Sequence, residues 1–410
     1  MAAKHRRSRS TGARLAAGTL AAVTVTAVAA GTLVLVNHYA VVSSGDTAAA
    51  AATGTPSGSA TTAHSATGSA AQSQQRQSSA TPTAVPLHVL NVAPDDTAPV
   101  NGATPVIVTF DEAVATTVLP QITPAVPGDW SRPTPTTLRF DPAVAFVPST
   151  KVTVVVPAGM QATNDGLLAT ATTTSYRVAD GSLLRLQQLL AELGYLPLDF
   201  TASVTETKTA QAQGELAFDP PQGQFSWRFA STPQPLVNLW QPGEMTAMTS
   251  GAVMAFENVH QLTVDGDAGP AVWTALLSDA VNDSPDPRAY TWAWTTMTHP
   301  ETLKIWSNGE FVFTSPANTG IPAAPTPEGS WPVFLRYRSQ TMQGTNPDGT
   351  KYKDAGVPYI SYFHGGDAIH GFRRASYGSE QSLGCVELPY DAAARVWDLI
   401  DYGTVVTVTS

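Results

Sequence analysis

Apolar positions along this chain change their period several times, and each change predicts a different kind of element. The first is an uncharged run at 15–36, long enough to cross a hydrocarbon core as a helix. Over 87–180 the apolar residues come in short bursts, as in Val106-Ile107-Val108-Thr109-Phe110, Thr137-Leu138-Arg139-Phe140 and Lys151-Val152-Thr153-Val154-Val155-Val156. Asn101-Gly102, Pro127-Gly128 and Asn164-Asp165-Gly166 supply the turns between them. Short strands so spaced predict a β-sandwich. Over 182–283 the period becomes helical. Leu183, Leu186, Leu189, Leu190 and Leu193 recur at helical spacing, and Gly194 sits at the C-cap. A second helix is predicted over 251–260, and a third is opened by Gly269-Pro270. The stretch 201–245 interrupts this pattern, and Phe225-Ser226-Trp227-Arg228-Phe229 predicts a small β element inside it. Strand-like runs return over 290–410, with one helix at 391–400 whose candidate core positions are Ala394, Val396, Trp397 and Ile400. The predicted fold class is multidomain and mainly β, with one small helical unit.

Charge sharpens the reading of the N-terminal part. Residues 1–14 carry Lys4, Arg6, Arg7, Arg9 and Arg14 and no acid. Positive charge before an apolar run keeps that end cytoplasmic and predicts export of the remainder of the chain. The run reads either as an uncleaved anchor or as a cleaved signal with Ala27-Val28-Ala29 at its small-residue site. Over 43–86 the only charges are Asp46 and Arg76. That stretch cannot bury enough apolar surface to offset its ordering entropy and is expected to be a disordered spacer. The expected location is the cell envelope, membrane-anchored or secreted, with the working part outside the cytoplasm. A net charge of −10 disfavours nucleic acid as a partner.

Candidate chemistry centres on the one cysteine, Cys385, in Ser382-Leu383-Gly384-Cys385-Val386-Glu387-Leu388. A lone cysteine excludes a disulfide within the chain and a cysteine zinc cluster. It reads as a small buried hydrophobe or as a nucleophile. Three features favour the second: an exported thiol is open to oxidation, Gly384 permits close backbone approach, and His370-Gly371 lies upstream. A free thiol has a pKa of about 8.5 and needs a base to become a nucleophile at neutral pH. His370 is the first candidate base and His364 the second. Backbone N–H groups of Gly384 and Cys385 are the expected oxyanion donors. Tyr362, Phe363, Tyr377 and Trp331 either line a substrate groove or pack in a β core, and Arg373 and Arg374 either meet a substrate carboxylate or sit solvated in a loop. The other histidines (His5, His38, His64, His88, His260 and His299) show no metal-ligand spacing, and no metal site is expected.

The words Ile369-His370-Gly371 and Ser382-Leu383-Gly384-Cys385-Val386 come after Asn318-Thr319-Gly320-Ile321-Pro322 and Pro325-Thr326-Pro327-Glu328-Gly329-Ser330. In this order they resemble the L,D-transpeptidase catalytic domain over 302–408. The resemblance implies that Cys385 is the nucleophile and His370 the base. It also implies that the Gly371 carbonyl orients the imidazole and that Ser382 is the family's hydroxyl beside the cysteine. The implied reaction is a two-step acyl transfer on peptidoglycan stem peptides through a Cys thioester. It gives 3→3 cross-links in cell-wall biogenesis, without cofactor, and carbapenem β-lactams inhibit it. Two positions depart from the family: Leu383 stands where a histidine is usual, and Glu387 where arginine or asparagine is usual. A carboxylate there is expected to alter substrate contacts and raise the thiol pKa. The segment 87–180 resembles bacterial immunoglobulin-like domains through Val-Ala-Pro, Val-Thr-Phe-Asp-Glu and Val-Val-Pro-Ala-Gly, and both ends of 182–283 resemble the three-helix peptidoglycan-binding domain. Two other readings stay open. One is a wall-binding protein with a decayed catalytic domain, suggested by Leu383 and Glu387. The other is a sortase-like enzyme that would use Arg395.

Overall fold

The computed structural model describes residues 84–115, 117–286 and 288–410. The basic segment 1–14, the apolar run 15–36 and nearly all of the spacer 43–86 lie outside the described residues. Among the described residues no helix is long and apolar enough to cross a membrane.

The first part holds β1 (Val89–Ala93), β2 (Val106–Phe110), β3 (Gln121–Thr123), β4 (Gly128–Thr134), β5 (Thr137–Pro142), β6 (Lys151–Val156) and β7 (Thr172–Arg177). They form two sheets, β1-β2-β5-β4 and β3-β6-β7. Alternation decides which side each strand buries. Val106, Val108 and Phe110 of β2 meet Val152, Val154 and Val156 of β6 in one core, so the two sheets are the layers of a sandwich.

The middle part holds α1 (Leu183–Glu192), β8 (Leu198–Ala202), α2 (Ala210–Leu216), β9 (Gly223–Trp227), α3 (Gln234–Val237), α4 (Ala247–Val259) and α5 (Pro270–Asn282). Ser182 caps α1 by accepting from the Arg185 N–H. The periodic leucines are buried as the pattern requires, but Arg185, Gln187 and Gln188 are buried too. The stretch between 201 and 245 covers the polar side of α1, which the sequence leaves free. Arg185 is fully buried and pairs with Glu206 at 2.6 Å and Glu192 at 3.2 Å, while Gln213 accepts from it at 2.7 Å. The expected β element there is the strand β9, which pairs antiparallel with β8, and the helices α2 and α3 flank it. The helix expected over 251–260 begins earlier, at Ala247, because Thr246 caps it.

The last part holds β10 (Thr291–Thr296), β11 (Thr302–Ser307), β12 (Glu310–Pro316), β13 (Gly329–Pro332), β14 (Leu335–Thr345), β15 (Lys351–His364), β16 (Asp367–Gly371), β17 (Val386–Leu388), α6 (Tyr390–Leu399) and β18 (Val405–Thr409). One sheet has the order β12-β11-β10-β18-β13 and the other β14-β15-β16-β17. Leu303, Ile305, Val406 and Val408 of the first meet Phe363, Ile369, Val386 and Leu388 of the second. Helix α6 closes this core with Ala392, Ala393 and Val396, and Ile400 comes just after it. Ala394 and Trp397 are not among the fully buried positions, contrary to the expected set. The guanidinium of Arg336 covers the Trp397 ring at 3.9 Å, so that ring lies at the surface of the core. On its far side, the five-stranded sheet gives Trp292, Trp306 and Val405 to the same apolar cluster as the helices α1, α4 and α5. Helix α4 approaches closely because Gly251 has no side chain; a Cβ there would stand 2.4 Å from the Gly403 carbonyl oxygen.

Candidate active site

Strands β16 and β17 run parallel, with Ile369 opposite Val386 and His370 opposite Glu387. Strand alternation sends Ile369 into the core between the sheets, while Ala368 belongs to a separate small cluster that includes Cys385. His370 and Cys385 line one cavity of about 360 Å³, together with Ser382, Leu383, Glu387 and Arg374. The pair picked from the sequence is thus brought together by a parallel strand pair and the loop that connects it.

That loop is pinned from behind. The Thr319 carbonyl accepts from the N–H groups of Gln381 and Ser382 at 2.8 and 2.9 Å. Thr326 Oγ1 donates to the Gly384 carbonyl at 2.8 Å and accepts from the Gly320 N–H at 2.8 Å. The Ser382 hydroxyl donates to the Cys385 carbonyl at 2.6 Å. Ser382 is almost fully buried, so its hydroxyl clamps the turn from within. Gly384 has φ +114°, and a Cβ there would fall 2.2 Å from Asp367 Oδ1. Only glycine fits this position. Glu301, fully buried, accepts from the Thr319 N–H at 2.7 Å and its hydroxyl at 2.8 Å, which fixes the residue that holds the loop. His299 and Glu380, 3.0 Å apart, lie close to Glu301, a grouping in space that sequence spacing did not reveal.

Electrostatics set the resting state. The His370 Nδ1 lies 3.1 Å from the Gly371 carbonyl oxygen. A carbonyl can only accept, so Nδ1 carries the hydrogen and Nε2 is left as the basic nitrogen. Burial holds the imidazole below its ordinary value of 6.5, with the Gly371 carbonyl and then Glu387 pulling the other way. The Cys385 thiol is pushed up to about 12, first by burial; the Ala368 N–H opposes this, and Asp367 and Glu387 add to it. Both shifts favour a neutral thiol beside a neutral imidazole at rest.

Several expected contacts take other roles. Phe363 is 2% exposed and sits in the core between the sheets, so it does not line the groove. Arg374, expected either to meet a substrate carboxylate or to sit solvated, lines the cavity and donates to both Glu387 oxygens at 2.7 Å. The same pair neutralises the carboxylate that the sequence placed unpaired beside the thiol. Tyr377 donates to the Phe372 carbonyl at 2.6 Å and accepts from the Arg374 N–H at 3.2 Å, so it braces the loop. Arg373 lies 5.8 Å from the Tyr390 ring and is absent from the cavity wall. Tyr362 donates to Gln340 at 3.1 Å, and Trp331 packs on His364 at 4.5 Å. His364 sits 3.1 Å from Asp367 and is not among the residues that line the cavity, whereas His370 is. The Gly384 N–H donates to the Ser382 hydroxyl at 3.3 Å. Of the two expected oxyanion donors, only the Cys385 N–H is without a partner among the described residues. Met342, Tyr352, Asp354 and Val357 of the β14–β15 hairpin also line the cavity. Sequence reading missed them, since nothing local marks a hairpin that folds over a distant loop.

Residues 294–408 match the L,D-transpeptidase catalytic domain family. The chain carries such a domain, and the cavity lies inside it. Solved structures resemble the chain as well. An L,D-transpeptidase from Mycobacterium smegmatis is 15% identical over 80% of this chain and 100% of its own, with a TM-score of 0.28. L,D-transpeptidase 3 from Mycobacterium tuberculosis, solved with a faropenem-derived adduct, is 14% identical over 78% and 98%, also at 0.28. The catalytic domain of the E. faecium enzyme, acylated by ertapenem, is 25% identical over 30% and 99%, at 0.26. Overlaps this low carry no weight on function beside the family match. A comparison with curated proteins found no match.

Proposed function

We propose that this protein is a peptidoglycan L,D-transpeptidase that works outside the cytoplasm through a Cys385 thioester. The observation that carries the reading is one cavity holding the only thiol of the chain and an imidazole whose free nitrogen is basic. In the first step His370 Nε2 takes the thiol proton as sulfur attacks the peptide carbonyl that precedes the terminal residue of a tetrapeptide stem. The C–S bond forms, the C–N bond breaks, and the proton passes to the leaving amine. Developing negative charge on the carbonyl oxygen meets the Cys385 N–H. In the second step a side-chain amine of another stem attacks the thioester, giving a 3→3 link and restoring the thiol. A thiol held near 12 is protected in the resting state and becomes nucleophilic only with a proton acceptor in place.

The decayed-domain reading drew on Glu387, yet that charge is balanced by Arg374. The sortase-like reading rested on Arg395, which is absent from the cavity wall. The basic segment and apolar run support a membrane-anchored or secreted location. Intact mass of the purified soluble part after incubation with a carbapenem tests acylation. An adduct that vanishes in Cys385→Ala is expected; no adduct, or one that survives the substitution, overturns the reading. Muropeptide analysis of treated wall material then reads the 3→3 product directly.

A further inference from the structure

Building on that reading, we propose that Asp354 is the anchor for the acceptor, holding an alkylammonium group beside the Cys385 thioester. Strand β15 alternates in this stretch: Lys351 and Lys353 are exposed, while Tyr352 and Asp354 turn into the cavity. The charged and titratable groups that face Asp354 are few. Arg374 is held by Glu387 through two 2.7 Å bonds, so that pair sums to zero. His370 rests neutral because burial depresses it. The Asp354 carboxylate has no hydrogen bond or ion-pair partner among the described residues. The cavity therefore carries one uncompensated negative charge, in the same space as the nucleophile.

The chemistry of the two substrates says which one that charge suits. The donor reacts at a neutral carbonyl, and its own side-chain ammonium takes no part in acylation. The acceptor arrives as an ammonium ion on an alkyl chain. Met342 pairs with Asp354 across the hairpin, and Met342 and Val357 give the cavity wall apolar surface near the carboxylate. A methylene chain ending in an ammonium group fits both parts. For transfer, the ammonium first releases one proton to solvent. The neutral amine then attacks the thioester carbon, the C–N bond forms and the C–S bond breaks. His370 takes the second proton from nitrogen and returns it to sulfur. The products are one amide, the free thiol and one released proton.

The test uses the purified protein with a labelled tetrapeptide donor whose side-chain amine is acetylated, so that it cannot act as acceptor. An unlabelled tetrapeptide with a free side-chain amine is the acceptor. The ratio of cross-linked to hydrolysed donor is measured against acceptor concentration. Asp354→Asn is expected to lower that ratio at least tenfold through a raised acceptor KM, and Asp354→Glu to recover most of it. Added salt should raise the acceptor KM of the unsubstituted protein as well, a readout that needs no variant. An unchanged ratio in Asp354→Asn overturns the proposal. So does an effect confined to acylation, measured with both the blocked donor and one whose side-chain amine is free, which would make Asp354 a donor contact. If the unsubstituted protein forms no acyl-enzyme at all, the transpeptidase reading itself fails, a result distinct from an unchanged ratio.

Discussion

A thiol pushed up to about 12 stays protonated at any physiological pH unless a neighbour takes its proton. The candidate neighbour is an imidazole held below 6.5 by burial, and it acts as a base only in its neutral form. Acylation by a carbapenem should therefore rise with pH along a limb centred below 6.5 and stay flat through neutrality. His370→Gln should remove that limb and cost about 10²–10⁴-fold, the usual worth of general base catalysis. Rates from pH 4.5 to 8 check both. The same depressed value links to folding. The folded state binds fewer protons than the unfolded chain, so this contribution is complete above 6.5 and is lost as pH falls through the lower folded value. Melting of the unsubstituted protein should thus drop more steeply below pH 6 than melting of His370→Gln. Arg374→Ala should cost about 3 kcal/mol by leaving Glu387 without its partner, the low end of such losses because the arginine is partly exposed. Urea unfolding measures it.

At the scale of elements, the connection between β16 and β17 is what brings an imidazole and a thiol together. Parallel strands cannot be joined by a tight turn, so a loop must cross between them, and here that loop carries the cysteine. Its shape depends on Gly384 at φ +114° with Asp367 packed against its Cα. Gly384→Ala combines backbone strain with a contact at 2.2 Å, and something must move. Carbapenem acylation should fall at least about tenfold, since a shift of an ångström at reacting atoms costs about 10² in rate. Stopped-flow acylation reads this, with circular dichroism to show that the strands persist.

Over the whole folded part, the helical and catalytic segments share one apolar cluster. Trp292 and Trp306 of β10 and β11 sit in it with Leu189, Phe256 and Trp273. Each aromatic side chain of this size buries about 150–250 Å². A fragment starting at 290 would open that face to water, while one starting at 181 keeps it covered. The longer fragment should elute as a single species on size exclusion, and the shorter one should aggregate. Equal behaviour of the two would mean that the shared cluster is not needed for solubility.

Local pattern was enough for the strands Val106–Phe110 and Lys151–Val156 and for the leucine helix, and residue chemistry singled out Cys385 and His370, which share one cavity. These depend on alternation, helical period and residue chemistry, which are properties of neighbours along the chain. Only the tertiary structure decided that Phe363 faces the core, that Glu387 is neutralised by Arg374, and that Asp354 enters the cavity unpaired. It also turned the Gly384 N–H onto Ser382 and covered the polar side of α1. Each of these depends on which distant segment packs against a residue. A strand has two faces, and its sequence says which positions share one without saying what the other will meet.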